Sequence, residues 1–166
     1  MSPAAFPFAF RPATFCVPLL LACTALSSGA QRAIPLSDGK WELQGKGTVV
    51  DTADGRISLR METGQADRKD VQLKDGTIDA DVYMTARRSF VYINFRVQKE
   101  GEQEEFYLRP HKSWLPDAIQ YAPVYQGQSA WQLFHGANGT AGPAIAHDAW
   151  THVRIVLAGR RAAFFV

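Results

Sequence analysis

The chain has 166 residues, 46% of them hydrophobic and 20% charged, enough apolar material for one well-filled core and too little charge for a disordered polymer. Its formal net charge of +2 is too small to drive binding to nucleic acid or to an anionic membrane surface. By length it predicts a single domain.

In chain order, the first thirty residues read as a targeting segment. Arg11 is their single charge, an apolar run follows from Phe15 to Leu26, and Ser27-Ser28-Gly29-Ala30 closes the segment. Ser28 and Ala30 satisfy the small-x-small rule, so residues 1–30 predict a signal peptide cut after Ala30. The run is too short for a permanent membrane span, and no transmembrane segment is expected. Both cysteines, Cys16 and Cys23, fall inside it, so the mature chain is expected to lack disulfides. Leu20-Leu21-Ala22-Cys23 also resembles a bacterial lipobox, which would make Cys23 a lipid anchor. Either reading exports the protein, to the periplasm or the extracellular space.

Residues 31–40 form a polar leader, and 41–166 the folded domain, with Trp41 and Leu43 as expected first core contacts. Two apolar runs, Thr48-Val49-Val50 and Ile57 to Met61, flank Ala53-Asp54-Gly55-Arg56, and Asp-Gly between such runs predicts a hairpin. Gly64 to Asp70 reads as a charged loop. Gly76 to Met84 alternates with period two, setting Ile78, Ala80, Val82 and Met84 inward against Asp79, Asp81 and Tyr83. Ser89 to Val97 repeats the alternation, with Val91, Ile93, Phe95 and Val97 inward and Tyr92, Asn94 and Arg96 outward. The next strand gives Phe106 and Leu108 the core parity and puts Glu105, Tyr107 and Arg109 on the other face. Pro110 ends it, since proline cannot donate to the ladder. His111 to Asp117 is a loop, Ala118 to Tyr125 and Ala130 to His135 are short strands, and Gly136 to Pro143 is a loop. Trp150 to Ala158 sets Thr151, Val153, Ile155 and Leu157 on one side, opposite His152 and Arg154. About ten strands with no helical period predict an all-β sandwich or barrel. The apolar ending Phe164-Phe165-Val166 would leave a hydrophobic edge, so the domain is expected to be truncated at its C-terminus.

The stretch Glu104 to His135 is the densest in chemistry. It combines Glu104, Glu105, Arg109, His111, Lys112, Asp117, Gln120, Gln132 and His135 with Tyr107, Trp114, Tyr121, Tyr125 and Trp131. Folding alone does not require that mixture. Glu105, Tyr107 and Arg109 on one face could floor a sugar site: carboxylate and guanidinium bind vicinal hydroxyls, and an aromatic stacks on the apolar sugar face. They could equally be a surface pair and its neighbour. Trp131 and His135 share the parity of Leu133 and pack inward if Leu133 is core; if the sheet is reversed there, Gln132 faces the core. The four histidines show no zinc-ligand spacing, so no metal is assigned. Asn138-Gly139-Thr140 is a glycosylation sequon.

From Gly76 onward the chain resembles the concanavalin A-like lectin/glucanase superfamily in its laminin-G-like form. Exported bacterial domains of that form are often described as similar to 3-keto-disaccharide hydrolases. The resemblance is carried by Lys74 to Asp79, Phe95-Arg96, Glu105 to His111, Pro116 to Tyr121, Trp131 to Gly136 and Asp148 to Arg154, and covers roughly 90 residues. It implies a two-sheet antiparallel jelly-roll sandwich whose concave face meets a glycan or small sugar, and it leaves a calcium site involving Asp117 open. The superfamily's glucanases carry three alternating acids on one strand. This chain has only Asp79 and Asp81, which lowers the odds of a standard glucanase.

The leading expectation is therefore an exported carbohydrate-binding domain with Tyr107, Arg109, His111, Gln120, Tyr121, Trp131 and Gln132 on the ligand. The alternatives are a glycoside or 3-keto-disaccharide hydrolase using Glu105 and Asp117 as its carboxyl pair, and a structural or adhesion module that binds a protein.

Overall fold

The computed structural model describes residues 32–136 and 139–166. Residues 1–30, expected to be a targeting segment and holding Cys16 and Cys23, and Asn138 of the sequon, lie outside the described residues. Among those described there are ten strands in antiparallel pairings and no α-helix, the all-β class that the period-two patterns predict. No described helix is long and apolar enough to cross a membrane.

Strands β1 (Glu42–Ala53) and β2 (Arg56–Asp67) form a two-stranded ribbon. Its tight turn needs positive φ at both central residues, and Asp54 (49°) and Gly55 (73°) supply it. The ribbon is longer than the sequence suggests. Glu42 pairs with Asp67, so much of the expected Gly64–Asp70 loop is strand. Trp41 also departs from expectation: its ring lies beneath the Arg68 guanidinium (5.6 Å) and its Nε1 donates to the Pro35 carbonyl (3.0 Å), outside the core.

Strands β3 (Gly76–Met84), β9 (Ala149–Ala158) and β10 (Arg161–Phe165) form a second sheet in the order β10-β9-β3. The register matches apolar to apolar on one face: Ile78 opposite Ile155, Ala80 opposite Val153, Ala162 opposite Leu157. On the other face Asp79 meets Arg154, Asp81 meets His152 and Tyr83 meets Trp150, opposite-charge and aromatic pairs of the kind that stabilise sheets.

Strands β4 (Val91–Lys99), β5 (Glu102–Leu108), β6 (Ile119–Tyr125) and β7 (Gln128–Ser129) run in that order as a third sheet, with β8 (Thr140–Ala141) also paired to β6. The apolar faces of the two larger sheets feed one cluster. Met84, Val153, Ile155 and Leu157 join Phe95, Phe106, Leu108 and Ile119. Phe164 of β10 joins the sheets, stacking on Phe106 (4.5 Å between ring centres) and touching Phe95 and Tyr121. Each such fully buried side chain is worth about 1.5–3 kcal/mol.

Two inward assignments are corrected. Val97 is 59% exposed, because the register shifts between Phe95 and Lys99 and Arg96 takes a positive φ of 48°, which reverses the parity beyond Phe95. Ala130 to His135 is not a strand: Leu133 N–H donates to the Ala130 carbonyl (2.9 Å) and Phe134 N–H to that of Trp131 (3.3 Å). With these groups satisfied in local turns, Leu133 is 83% exposed rather than core.

Candidate functional site

The third sheet packs one face on the apolar cluster, and its other face is covered over β5 and β6 but open over β4. On the face away from the apolar cluster the register lines up Tyr92, Tyr107, Gln120 and Thr140 across β4, β5, β6 and β8, with Asn94, Glu105 and Ala122 in the next row. Phe106 and Leu108 point to the cluster, so Glu105 and Tyr107 must point the other way, and both are buried there. Past the end of β5 the residue before proline is held extended: Arg109 has φ −120° and ψ 87°. Its N–H bonds to the Ala118 carbonyl (2.8 Å), which sets the hairpin-like loop that returns the chain as β6.

One connected polar network results. The Tyr107 hydroxyl donates to Gln120 Oε1 (2.7 Å), and Arg109 Nη2 donates to the same oxygen (3.3 Å). Gln120, only 1% exposed, passes the connection on through Nε2 to the Trp131 carbonyl (2.6 Å). Arg109 Nη2 also reaches Asp117 Oδ2 (3.2 Å), which lies closer to Lys112 Nζ (2.6 Å). The Lys112 ammonium, with Arg109 behind it, holds the Asp117 carboxyl below its ordinary range. In the neighbouring row Ser129 Oγ donates to Glu105 Oε1 (2.5 Å).

An aromatic layer lies beside this network. The Arg109 guanidinium sits over the Tyr107 ring (5.2 Å). Tyr107 in turn contacts Tyr92 (5.2 Å) and Phe90 (6.1 Å), which stack nearly parallel at 14°. The His111 ring meets Phe90 edge-on at 5.7 Å. Burial pushes the Tyr107 hydroxyl up to about 12, and raises that of Tyr92 with help from the Glu105 charge. Phe90 (43%) and Tyr92 (48%) are half open to solvent, whereas Tyr107 is closed off beneath them.

The structure thus gathers Glu105, Tyr107, Arg109, Asp117 and Gln120 on one face, with His111 at its margin. Trp131 joins through its carbonyl, its ring 45% exposed on the turn. Gln132 is exposed on the same turn. Tyr121 stands apart. It is opposite Phe106, on the cluster side of the sheet, packs on Phe164 (5.7 Å) and Phe134 (5.4 Å), and hydrogen-bonds Glu104 (3.2 Å). Phe90, Tyr92, Lys112 and Ser129 belong to the face although the sequence reading did not place them in the site. The alternation of Ser89 to Val97 already sets Tyr92 outward, and the antiparallel register puts it level with Tyr107.

Close backbone approach holds the 131–136 turn in place. A Cβ at Gly139 would lie 1.7 Å from the Phe134 carbonyl oxygen, and the Gly139 carbonyl accepts from Tyr121 N–H (2.9 Å).

Fold and site together define an all-β protein of antiparallel sheets with a buried polar network and a half-open aromatic layer on one sheet. No family model, curated protein or solved structure matches the chain.

Proposed function

We propose that this is an exported carbohydrate-binding domain, a laminin-G-like jelly-roll sandwich of the concanavalin A-like kind, which holds a sugar over the outer face of its β4–β5–β6 sheet. The observation that carries this reading is the half-exposed pair Phe90 and Tyr92 stacked above Tyr107, directly beside the guanidinium of Arg109 and the amide of Gln120. Sugars are recognised by such a combination: flat aromatic surface for the axial C–H face, and a few fixed polar groups for the hydroxyls. The network behind the layer keeps those groups in one geometry, which lowers the entropy lost on binding.

Binding is better supported than turnover. A glycosidase needs one carboxyl able to give up a proton near the scissile bond. Asp117 is engaged by both Lys112 and Arg109 and is held ionised, so it is not that proton donor, and Oε1 of Glu105, the other expected carboxyl, is taken by Ser129. The test is a panel of oligosaccharides presented to the full chain, read for both binding and cleavage. Tyr92→Ala is expected to weaken binding at least tenfold and leave the fold intact, with Val97→Ala as an exposed control. A chain that neither binds nor cleaves any member refutes the reading and redirects attention to a protein partner.

A further inference from the structure

Two nitrogens at this site find no hydrogen-bond partner among the described residues although both are buried: Arg109 Nε and His111 Nδ1. Buried polar groups are nearly always paired, because an unmade bond leaves the full desolvation cost in place. Arg109 is the more telling of the two. Its side chain is 9% exposed, and a guanidinium cannot shed its charge to escape burial.

The geometry narrows the missing partner. Nε and Nη2 form the side-on edge of the guanidinium, two parallel N–H groups spaced for the two oxygens of a carboxylate. Here Nε has no partner. Nη2 has two, both long for charge-assisted bonds, at 3.2 Å to Asp117 and 3.3 Å to Gln120. Asp117 does not neutralise Arg109 alone, since the same oxygen sits at 2.6 Å from Lys112. Glu105, the other carboxylate on this face, makes no ion pair with Arg109 and accepts from Ser129 Oγ instead. The Arg109 end of the face therefore carries two cations against one carboxylate, while the Glu105 end carries an anion.

Resting on the sugar-binding reading above, we infer that the ligand is an acidic sugar, a uronic acid residue whose carboxylate docks on the Nε–Nη2 edge of Arg109 while its ring lies on Phe90 and Tyr92. His111, edge-on to Phe90, contributes a second polar contact through Nδ1.

The experiment titrates the full chain with a panel of uronate-containing oligosaccharides, each beside the same oligosaccharide with its carboxylates reduced to primary alcohols. At least one acidic member is expected to bind ten or more times tighter than its reduced twin. Arg109→Lys keeps the charge but removes the two-pronged edge, and it is expected to abolish that preference, read as the ratio of acidic to reduced affinity within the variant. Arg109→Gln is a second variant with the same expected loss, and the wild-type comparison stands even if both variants fold poorly. Equal affinity for acidic and reduced forms overturns the acidic-sugar inference and leaves the sugar reading intact. A preference that survives Arg109→Lys overturns the assignment to Arg109. No binding by any member, acidic or neutral, overturns both.

Discussion

Gln120→Leu isolates the joint on which the polar network turns. The Gln120 side chain accepts from Tyr107 Oη at 2.7 Å and Arg109 Nη2 at 3.3 Å, and donates to the Trp131 carbonyl at 2.6 Å. Leucine of similar size removes all three. Arg109 retains Asp117, and the Trp131 carbonyl lies on an exposed turn where water can replace its donor, but the Tyr107 hydroxyl is left buried and unpaired. At about 1–3 kcal/mol for the stranded Tyr107 hydroxyl and about 1 kcal/mol for each of the other two lost hydrogen bonds, offset by about 1 kcal/mol of added apolar burial, the net loss is about 2–4 kcal/mol. Tyr107→Phe removes one donor while Gln120 Oε1 keeps Arg109, so its expected cost is only about 1 kcal/mol. The double variant should be more stable than Gln120→Leu alone, because it removes the stranded hydroxyl. Urea unfolding of the full chain measures this, with midpoints compared at unchanged m. A Gln120→Leu loss under about 0.5 kcal/mol, or strictly additive effects in the double variant, would refute a network joined at Gln120.

Phe164→Ala removes the ring wedged between Phe95, Phe106 and Tyr121, and should lower stability by about 3–4 kcal/mol in the same assay. Arg96 sits at a left-handed φ of 48° while bonding Glu104 and the Gly159 carbonyl (2.7 Å); Arg96→Ala loses those bonds and keeps the backbone strain, so it should be less stable than Arg96→Gly by about 0.5–1 kcal/mol, the reverse of the usual order in strands. His152 uses both ring nitrogens, Nδ1 to Asp81 (2.9 Å) and Nε2 to Asp79 (3.1 Å), which only the imidazolium can do as a donor, and the two acids, Asp81 foremost, raise its pKa. Its contribution is therefore complete below about pH 6.5 and fades as pH rises through the raised value. Asp79 and Asp81, lowered chiefly by Arg154 and His152 respectively, contribute above about pH 4 and lose that contribution in acid. Melting temperature measured from pH 5 to 9 should fall less steeply in His152→Gln than in wild type, and identical slopes would contradict the pairing.

The strands were legible wherever a half-buried face imposed strict alternation, as from Gly76 to Met84 and from Trp150 to Ala158, because side-chain period and burial then agree. The site strand was legible for the same reason: Phe106 and Leu108 fix the parity that sends Glu105, Tyr107 and Arg109 together to the other side. Legibility failed where the backbone leaves the period. Arg96 breaks the parity with a bulge that no glycine announces, and Val97 turns outward. Trp131 to Phe134 alternates like a strand, yet its amides close in turns. Tyr121 looked like a site residue by composition and density, and its face depended on the register against Phe106, which one strand cannot reveal. The burial of the second face of β5 was equally hidden. A polar residue on a strand reads as exposed until it is known that a later segment, Ser129 to Trp131, folds back over it.

The pairing of β3 with β9 also determines the order in which the chain can assemble. Met84 pairs with Ala149, so roughly 65 residues must be looped out before that sheet can form, whereas β4, β5 and β6 are sequential neighbours joined by short connections. Closing so long a loop is entropically expensive and gives no return until many contacts form at once. The β4–β5–β6 meander can thus form early, with Phe95, Phe106, Leu108 and Ile119 presented to solvent until β9 arrives to cover them. A nascent or refolding chain passes through a stage in which one face of that meander is bare, and at high concentration this is where self-association should begin.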